Sequence, residues 1–598
     1  MVRPLLSSYR VQMVVDAMQV GGGAYLPEDG ETMIEATIKP MSAICALCAL
    51  ATTVFSAEAP RPNILVVMCD DLGYADVGFN GSTDIRTPRM DMLAKDGTVF
   101  TSAYVAHPFC GPSRMGLMSG RYPHAFGGAY NLPNHGQGIE EYNNEGVPVA
   151  ETLIGTVLQN AGYYTGAIGK WHMGFTQPYH PNNRGFEEFF GFLGGGHNYF
   201  PDQYQPAYER QVQFGNKHIN EYILPLEYNG KNVNETEYMT DAFTREACRF
   251  VKVASAKEKP FFLYLSYNAP HTPLEALEDD LVLYEDIEDP KRRTYAAMVH
   301  AVDRGVGQLV ETLKSTEQFD NTLIVFLSDN GGKTAAGANN YPLRNGKGSA
   351  YEGGYRVPMF FHWPQQVPAG QKFDFPVSAL DFYPTFAGLC GAAIPDGKIL
   401  NGKDIWAAFK DGQNPRQGEM VFALRYRGGY SEVGARRDDW KATRGEASTW
   451  QLFNIKDDAG EAHDLSAQYP ERLEEMVAAA KKWSLTHAEP RWFHEERARE
   501  IWDETRMPAT AATFGMDSIA FKPADIKPVA LEQKTTPLSN GDITKAQFLE
   551  NEKRRCEVKG WKWNSGKVET MFNEIDANQD GIASGREKKI YWANYKAQ

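Results

Sequence analysis

Four short apolar runs along the chain each end in polar side chains. "NILVVM" leads into Asp70 and Asp71, "YYTGAI" into Lys170 and His172, "FFLYLSYNAPH" to His271, and "NTLIVFLSDNGG" to Asp329 and Asn330. Uninterrupted apolar runs of this length are typical of strands that are buried on both faces. Helical periodicity lies between them, for example in "TPRMDMLAKDG" and "TYAAMVHAVDRGVGQLVETL".

This alternation predicts an α/β fold with a large central, mostly parallel sheet sandwiched by helices. Ligands of such sheets bind at the carboxyl ends of the strands. Since all four polar clusters follow the ends of predicted strands, we expect them to meet in one site.

A second region, from about Gly402 to Trp492, predicts a smaller C-terminal α+β subdomain. Its "WQLFNIKDDAGEAHDLSAQYPERLEEMVAAAKKW" is typical of a strand, a turn and an amphipathic helix, and the Pro- and Ala-rich stretch from Arg506 indicates a linker. We expect an N-terminal extension with a signal over 1–57, a catalytic domain over 58–401, the subdomain over 402–500, a linker over 501–534 and a last unit over 535–598.

Composition and charge narrow the class of protein. The 598 residues include 42% hydrophobic positions, which is ordinary for a globular protein, and carry a net charge of −15. This charge argues against nucleic-acid binding. An anionic substrate would need a local basic pocket.

The stretch Met41 to Ala57, "MSAICALCALATTVFSA", resembles a secretory signal. Lys39 precedes a short apolar core, and "FSA" offers a small-residue cleavage site. We expect translation to start at Met41 and the protein to be secreted or periplasmic. The alternative, a membrane anchor, needs a longer apolar run, and no later segment has the length and apolarity to span a bilayer.

Removal of the signal leaves five scattered cysteines, an odd number that indicates no disulfide framework. They are Cys69, Cys110, Cys248, Cys390 and Cys556. Cys110 is unusual because it stands in "HPFCGPSRMGLMSGRYPH", without apolar neighbours or an evident partner. At least one cysteine therefore has another role or is an inert buried thiol.

The residues at the strand ends suit a metal ion and an anion together. Each acidic pair alone is more often a turn or a helix cap, but three carboxylates and an amide oxygen together favour Ca²⁺ or Mg²⁺ over zinc. Basic side chains and histidines add to them. They are Arg114, Lys170, His172, His271 and Lys347, each of which alone could be an ordinary loop residue. Together they indicate a site for a tetrahedral oxyanion.

"CGPSR" followed by "GRYPH" resembles the signature of formylglycine-dependent sulfatases, members of the alkaline-phosphatase-like superfamily. "NILVVMCDDLGYADVG", "GKWHMG", "NAPHTP", "SDNGG" and "GKGSAYEGGYRVP" follow the order of that family, and the likeness runs from Arg61 to about residue 490. One departure is Ser119, where many members have Thr. Another is His300, where many carry Glu.

The resemblance implies that a formylglycine-generating enzyme oxidises Cys110 to an aldehyde, whose hydrate attacks sulfur with one hydroxyl and expels sulfate with the other. It implies Ca²⁺, or less readily Mg²⁺, bound by Asp70, Asp71, Asp329, Asn330 and modified Cys110. Arg114 would steady the hydrate, and Lys170 and Lys347 would bind sulfate oxygens. His271, assisted by Lys347, is the candidate general acid, and His172 the candidate base that regenerates the aldehyde.

The substrate alcohol is not specified by these motifs. Polar residues in loops between them are candidate substrate contacts or plain structural positions: His124, Asn131, His135, His197, Asn198, Tyr199 and His300. An exported sulfatase would act on a sulfated polysaccharide or its oligosaccharides, with algal galactan, ulvan and glycosaminoglycan all open.

Near the C-terminus, "DANQDGIASGRE" fits a twelve-residue EF-hand calcium loop. Its expected ligands are Asp576, Asn578, Asp580, Ile582 through its carbonyl, and Glu587. "LSNGDITKAQF" upstream resembles half of a partner loop. We expect a helical EF-hand-like tail with one second Ca²⁺ site, or else a folded appendage that binds no metal.

Two other functions stay open on the sequence alone. One is a phosphodiesterase or phosphonate hydrolase of the same superfamily. The other is a non-catalytic glycan-binding protein with a decayed site. The chain lacks additional His/Asp zinc-ligand motifs and has a full set of catalytic residues, and both observations favour the sulfatase.

Overall fold

The computed structural model describes residues 61–133, 136–137, 144–427, 430–445, 449–505, 543–550, 553, 565–575 and 582–583. Its strands are β1 (Asn63–Cys69), β2 (Thr98–Phe100), β3 (Ala103–Tyr104), β4 (Gly136–Gln137), β5 (Tyr164–Lys170), β6 (Glu188–Phe192), β7 (Ile219–Asn220), β8 (Glu227–Tyr228), β9 (Lys231–Asn232), β10 (Phe261–Ser266), β11 (Thr322–Ser328), β12 (Met359–His362), β13 (Gln371–Phe373), β14 (Val377–Ser378), β15 (Val421–Arg427), β16 (Tyr430–Arg437), β17 (Trp440–Arg444), β18 (Gln451–Asn454), β19 (Ile543–Thr544) and β20 (Ile582–Ala583).

The α-helices are α1 (Pro88–Lys95), α2 (Cys110–Ser119), α3 (Ile154–Asn160), α4 (Pro201–Gln213), α5 (Met239–Ala256), α6 (Glu278–Leu281), α7 (Pro290–Ser315), α8 (Glu352–Tyr355), α9 (Phe382–Leu389), α10 (Trp406–Lys410), α11 (Pro470–Ser484), α12 (Glu496–Thr505) and α13 (Ser565–Ile575). The two helical patterns singled out in the sequence form α1 and α7, as predicted.

Ten strands form the central sheet in the order β13-β2-β12-β11-β1-β10-β5-β6-β8-β9. The five strands from β11 to β6 are mutually parallel, and the neighbours β12 and β8 run antiparallel to them. Each of the four predicted strands is thus present, and the four are adjacent in the sheet. The prediction of a mostly parallel α/β sheet is confirmed.

Both faces of this sheet are covered, as the apolar runs predict. In β1 the side chains of Ile64, Val66 and Met68 join one buried cluster, whereas Leu65 and Val67 join another on the opposite face. Alternate residues of a strand point to opposite faces, so a strand covered on both sides is apolar throughout.

A second, four-stranded antiparallel sheet has the order β15-β16-β17-β18. Helix α11 packs against β16 and β17, and the predicted strand, turn and helix correspond to β18, its turn and α11. The smaller C-terminal α+β subdomain is therefore present, while the predicted domain boundaries stay a prediction.

Part of the C-terminal tail is described. Strands β19 and β20 pair antiparallel, with Ile543 opposite Ala583 and Thr544 opposite Ile582. Phe548 packs edge-on against Phe572, at 5.5 Å between ring centroids. The predicted calcium ligands Asp576, Asn578, Asp580 and Glu587 lie outside the described residues, as do the secretory signal and Cys556.

Cys69, Cys110, Cys248 and Cys390 are free thiols in the part of the chain that the structure describes. Over the same residues, no helix combines the length and the apolarity that a membrane crossing requires.

Candidate active site

The acidic residues follow two neighbouring strands. Asp70 and Asp71 come directly after β1, and Asp329 and Asn330 directly after β11, whose last residue is in register with Cys69. The Asn330 amide donates to Asp71 Oδ1 at 2.8 Å, and the Asp71 backbone N–H donates to Asp329 Oδ1 at 3.3 Å. All four residues are buried. The sheet thus brings together side chains about 260 positions apart, as predicted.

Cys110 is the first residue of α2 and only 2% exposed. Pro112 is tolerated in the first turn because the N–H groups there have no partner within the helix. The helix ends at Gly120, whose φ of 67° suits glycine. The Gly111 N–H donates to Asn131 Oδ1 at 3.0 Å, which places the loop of Asn131 beside the cysteine.

Two lysines approach Cys110 from different parts of the chain. Lys170, the last residue of β5, places its Nζ 2.5 Å from Asp70 Oδ2. Lys347 places its Nζ 2.6 Å from Asp71 Oδ1 and donates to Cys110 Sγ at 3.1 Å. Glycine at 169 allows β5 to approach β10 closely, since a Cβ there would lie 1.9 Å from the Ser266 carbonyl oxygen.

Arg114, one turn into α2, is completely buried. Its Nε and Nη2 donate to Asp329 Oδ2 at 2.9 and 2.7 Å. Its Nη1 donates to the hydroxyls of Tyr264, at 3.2 Å, and Ser266. The sequence analysis missed these two partners. They are alternate positions of β10 and the polar groups of an otherwise apolar strand, which was the available signal.

The two histidines of the cluster differ in their surroundings. His271 Nδ1 lies 2.6 Å from the Thr272 carbonyl oxygen, and its Nε2 lies 3.8 Å from Asp71 Oδ2. The His172 ring packs against Gly195, where a Cβ would lie 2.9 Å from Nε2. His172 Nδ1 is buried with no hydrogen-bond partner among the described residues.

Burial governs the protonation of Cys110. It raises the pKa of the thiol to about 12, with Asp70 adding to the rise and both Lys170 and Lys347 opposing it. An unmodified thiol at this position is therefore protonated at neutral pH, and a protonated thiol is a poor nucleophile.

The charged residues around it are shifted in different directions. Burial acts to raise the pKa of Asp71, but Lys347 and His271 outweigh it and hold this pKa below its ordinary value. Burial and Lys347 lower the pKa of His271 to about 3. Burial and then Lys170 also lower the pKa of His172. Both imidazoles are therefore neutral in this arrangement.

The donor set could hold a metal ion. Asp70, Asp71, Cys110 and His271 each offer one ligand atom, and these atoms all lie within 4.8 Å of one another. Asp70 Oδ1, Asp71 Oδ2 and Asn330 Oδ1 are buried oxygens without a hydrogen-bond partner among the described residues. Buried oxygens of this kind are costly unless a cation or a donor satisfies them. His271, predicted as an acid, is also within reach of the metal position.

Two of the predicted substrate contacts, His197 and His124, are buried histidines outside the group of possible metal ligands. His197 is completely buried, with its ring nitrogens 2.7 Å from the carbonyl oxygens of Asn198 and Leu224. His124 is completely buried and stacks on His487. Both rings are held inside the protein, and their role in substrate binding stays a prediction.

His300 lies on α7 and borders a cavity with Arg89, Asp303 and Arg304, none of which belongs to the catalytic cluster. Tyr199 is buried and donates to the His271 carbonyl oxygen at 2.8 Å. Asn198 is half-buried beside it, and His135 lies outside the described residues.

The comparisons with known proteins agree with this geometry. A family model described as Sulfatase matches residues 62–392. The chain belongs to the sulfatase family. Hydrolysis of sulfuric esters is therefore its reaction class. The family match does not support the alternative reaction of the superfamily, phosphodiester or phosphonate hydrolysis.

The alignments of this sulfatase with its curated and solved relatives cover most of the length of each relative. N-acetylgalactosamine-6-sulfatase of Canis lupus familiaris is 31% identical over 369 residues, which is 60% of this chain and 68% of that protein. Arylsulfatase G of the same organism is 30% identical over 456 residues, 68% of this chain and 82% of that protein. Ps i-CgsB, crystallised with k-i-k-neocarrahexaose, is 56% identical with a TM-score of 0.73, covering 75% of this chain and 98% of that one.

Proposed function

We propose that this sulfatase removes sulfate groups from oligosaccharides of a sulfated algal galactan. The observation that carries this proposal is its 56% identity to Ps i-CgsB over 98% of that chain, a protein crystallised with k-i-k-neocarrahexaose. N-acetylgalactosamine-6-sulfatase, whose name gives a different substrate, is 31% identical over 68% of its length. Ulvan and glycosaminoglycans are therefore less favoured.

Formylglycine at position 110 would supply a hydrated aldehyde as nucleophile, formed by a formylglycine-generating enzyme. The start of α2 suits this role, since Cys110 Sγ accepts from Lys347 Nζ at 3.1 Å. Lys170 and Lys347 would bind sulfate oxygens and offset the charge that develops on them. Arg114, held by Asp329, would keep the modified side chain in place.

Proton transfer is assigned to the two histidines. His271 would protonate the leaving alcohol from Nε2, because Nδ1 faces the Thr272 carbonyl, and the protonated amine of Lys347 would supply that proton to the neutral imidazole. His172 would accept the proton when the aldehyde is regenerated. Its ring lies against Gly111, where a Cβ would be 3.5 Å from Cε1.

We assign the divalent cation as Ca²⁺, with Mg²⁺ as the less favoured ion. Asp70, Asp71, Asp329, Asn330 and the modified residue 110 would hold it, and the three oxygens without hydrogen-bond partners support this set. When bound, the cation would polarise a sulfate oxygen and lower the pKa of the attacking hydroxyl.

The test is sulfate release from desalted galactan, ulvan and glycosaminoglycan polymers and their oligosaccharides. The protein is coexpressed with a formylglycine-generating enzyme, and intact mass verifies conversion of Cys110. Release from galactan oligosaccharides alone is expected. Release from another polymer only, with Cys110 converted, would contradict the galactan proposal while leaving the sulfatase chemistry intact.

We also propose that the tail is a pair of EF-hand-like units with one Ca²⁺ site. The support is the short antiparallel pairing of β19 with β20, which joins the two loop sequences, and the packing of Phe548 on Phe572. Calorimetric titration of the full chain with Ca²⁺ should show one site fewer after Glu587→Gln. An unchanged stoichiometry would contradict the assignment.

We also propose that the protein is secreted, because the stretch from Met41 to Ala57 resembles a secretory signal.

A further inference from the structure

The charged side chains of the active site differ in their exposure to solvent. The side chains of Asp70, Arg114 and Lys170 are 0% exposed, whereas those of Lys347 and His271 keep 12% and 10% of their surface exposed. A sulfated sugar can therefore reach the cluster at Lys347 and His271, and this edge is here called the opening. Residues beside Lys347 on this side will meet the parts of the substrate that are not being cleaved.

Arg425 lies next to that opening. It belongs to β15 of the C-terminal sheet, is half-buried, and donates from Nη1 to the Gly348 carbonyl oxygen at 2.7 Å. Its guanidinium carbon lies 4.6 Å from the ring centroid of Phe109. Gly348 and Phe109 are the chain neighbours of Lys347 and Cys110, whose side chains touch at 3.1 Å.

The position of the guanidinium depends on a glycine. A Cβ at Gly348 would lie 2.9 Å from both Arg425 Nη1 and Phe109 Cζ, and the φ of 84° at Gly348 independently favours glycine. The Gly348 N–H donates to the Pro108 carbonyl oxygen at 2.9 Å. The two active-site loops are therefore joined at this glycine, and Arg425 covers the junction.

Aromatic side chains lie within the electrostatic reach of Arg425. Tyr130 stacks on His494, with 5.5 Å between ring centroids and 24° between ring planes. Burial is the main influence on the pKa of each side chain, and the positive charge of Arg425 acts to lower the pKa of both. The side chain of His494 is 46% exposed. Tyr130 precedes Asn131, which contacts the first turn of α2. An arginine near an exposed imidazole ring suits a sulfated sugar, because the ring can stack on the sugar and the guanidinium binds oxyanions.

We propose that Arg425 binds a second sulfate group of the substrate, on the sugar next to the one that loses its sulfate. The proposal rests on the proposed function, since it assumes a multiply sulfated oligosaccharide. A guanidinium has five N–H donors in a planar fork that matches sulfate oxygens. The C-terminal sheet thereby contributes a specificity residue to a site that the central sheet builds.

The test compares Arg425→Ala, Arg425→Lys and the matched control Arg437→Ala on three substrates. One is an aryl sulfate, and the other two are oligosaccharides that differ only in the sulfate on the neighbouring sugar. For Arg425→Ala, KM for the doubly sulfated oligosaccharide should rise roughly 10- to 100-fold, the range of a lost charged hydrogen bond, while that for the singly sulfated one changes severalfold at most. Arg425→Lys should keep only part of the preference. Arg437 is half-buried on the neighbouring strand and pairs with the exposed Glu475, so Arg437→Ala should leave the preference unchanged.

Equal losses on all three substrates would overturn the proposal, because they would show that Arg425 only joins the two loops. A wild-type enzyme without preference for the doubly sulfated oligosaccharide would overturn it too. If the wild type acts on a glycosaminoglycan instead, the galactan proposal fails, and the same pair of substrates from that polymer tests Arg425. If it hydrolyses the aryl sulfate alone, both proposals fail.

Discussion

Two clusters of buried charges share the segment from Lys347 to Tyr355, since Lys347 belongs to one cluster and Glu352 to the other. One is the active-site cluster around Cys110. The other, here called the junction cluster, joins α8 to the C-terminal sheet and consists of Glu352, Glu461, Lys441, Arg436 and Arg356. Lys441 Nζ lies 3.1 Å from Glu352 Oε1 and 2.8 Å from Glu461 Oε1.

The two clusters differ in how far their side chains are exposed to solvent. In the junction cluster the side chains of Glu352, Glu461 and Lys441 are 0% exposed, and each carboxylate has a cation at ion-pair distance. In the active site the carboxylates of Asp70 and Asp71 also have lysines at ion-pair distance, but Lys347 and His271 keep 12% and 10% of their side-chain surface exposed. A closed cluster holds two parts of a protein in place. A cluster that is open to solvent can admit a cation and a substrate.

The largest expected effect is at Cys110. Cys110→Ala removes the proposed nucleophile, so sulfate release from any substrate should fall on the order of 10³-fold or more. The fold should persist, because the change leaves α2 and its packing in place. Circular dichroism and sulfate assays on protein of equal metal content measure the two effects. Activity near that of the wild type would disprove the assigned nucleophile.

Loss of the central cation of the junction cluster tests stability. Lys441→Met leaves two buried carboxylates without their shared partner, which should lower the free energy of unfolding by about 3–5 kcal/mol. Denaturant titration measures it. The unmutated sulfatase and Arg437→Ala are the controls. A change below about 1 kcal/mol would mean that the cluster contributes little to holding α8 on the C-terminal sheet.

The corresponding lysine of the active site should affect catalysis instead. Lys170→Met removes one cation beside the proposed position of the sulfate oxygens, and kcat should fall roughly 10²- to 10³-fold. Arg114, whose Nη2 lies 3.8 Å from Asp70 Oδ2, should limit the loss of stability. Steady-state kinetics on an aryl sulfate checks the expectation. An effect on KM alone would assign Lys170 to substrate binding without a role in the transition state.

The central sheet and the polar residues at its edge could be predicted because local patterns determine them. The four apolar runs are long enough to be buried on both faces, and parallel pairing places their carboxyl ends at one edge. Asp71 and Asn330 therefore met as expected, although they are far apart in the sequence. The turn and helix after β18 followed from local periodicity in the same way.

Contacts that depend on how the subdomains pack could not be predicted. Arg425 reaches Gly348 only because β15 docks beside the Lys347 loop, and no motif within "VFALRYR" indicates this. Tyr264 and Ser266 differ from Arg425, because they lie within the central sheet and their polar groups in an otherwise apolar strand were a signal in the sequence. His197 is a residue for which the sequence suggested a contact that the structure does not show. A histidine in a glycine-rich loop suggested contact with substrate, but its ring nitrogens face the backbone carbonyl oxygens of Asn198 and Leu224.

The junction cluster should also give stability a pH dependence. Burial, with Glu352 beside it, raises the pKa of Glu461 from 4.5 to about 7. Between these values the folded protein holds a proton that the unfolded chain has lost, so stability falls as pH rises through this window. The loss is about 1–3 kcal/mol. Glu461→Gln cannot titrate, and its free energy of unfolding should vary less between pH 5 and 7. A slope equal to that of the wild type would assign the dependence elsewhere.

The smallest effect is expected one residue away from the junction cluster. Arg436 and Arg437 are neighbours on β16 and point to opposite faces, so Arg436 is buried near Glu352 whereas Arg437 pairs with the exposed Glu475. Arg437→Ala should change the free energy of unfolding by less than about 1 kcal/mol, because solvent screens an exposed ion pair. Denaturant titration beside Lys441→Met gives the contrast. A loss as large as that of Lys441→Met would show that the location of a charge pair, buried or exposed, does not decide its contribution in this sheet.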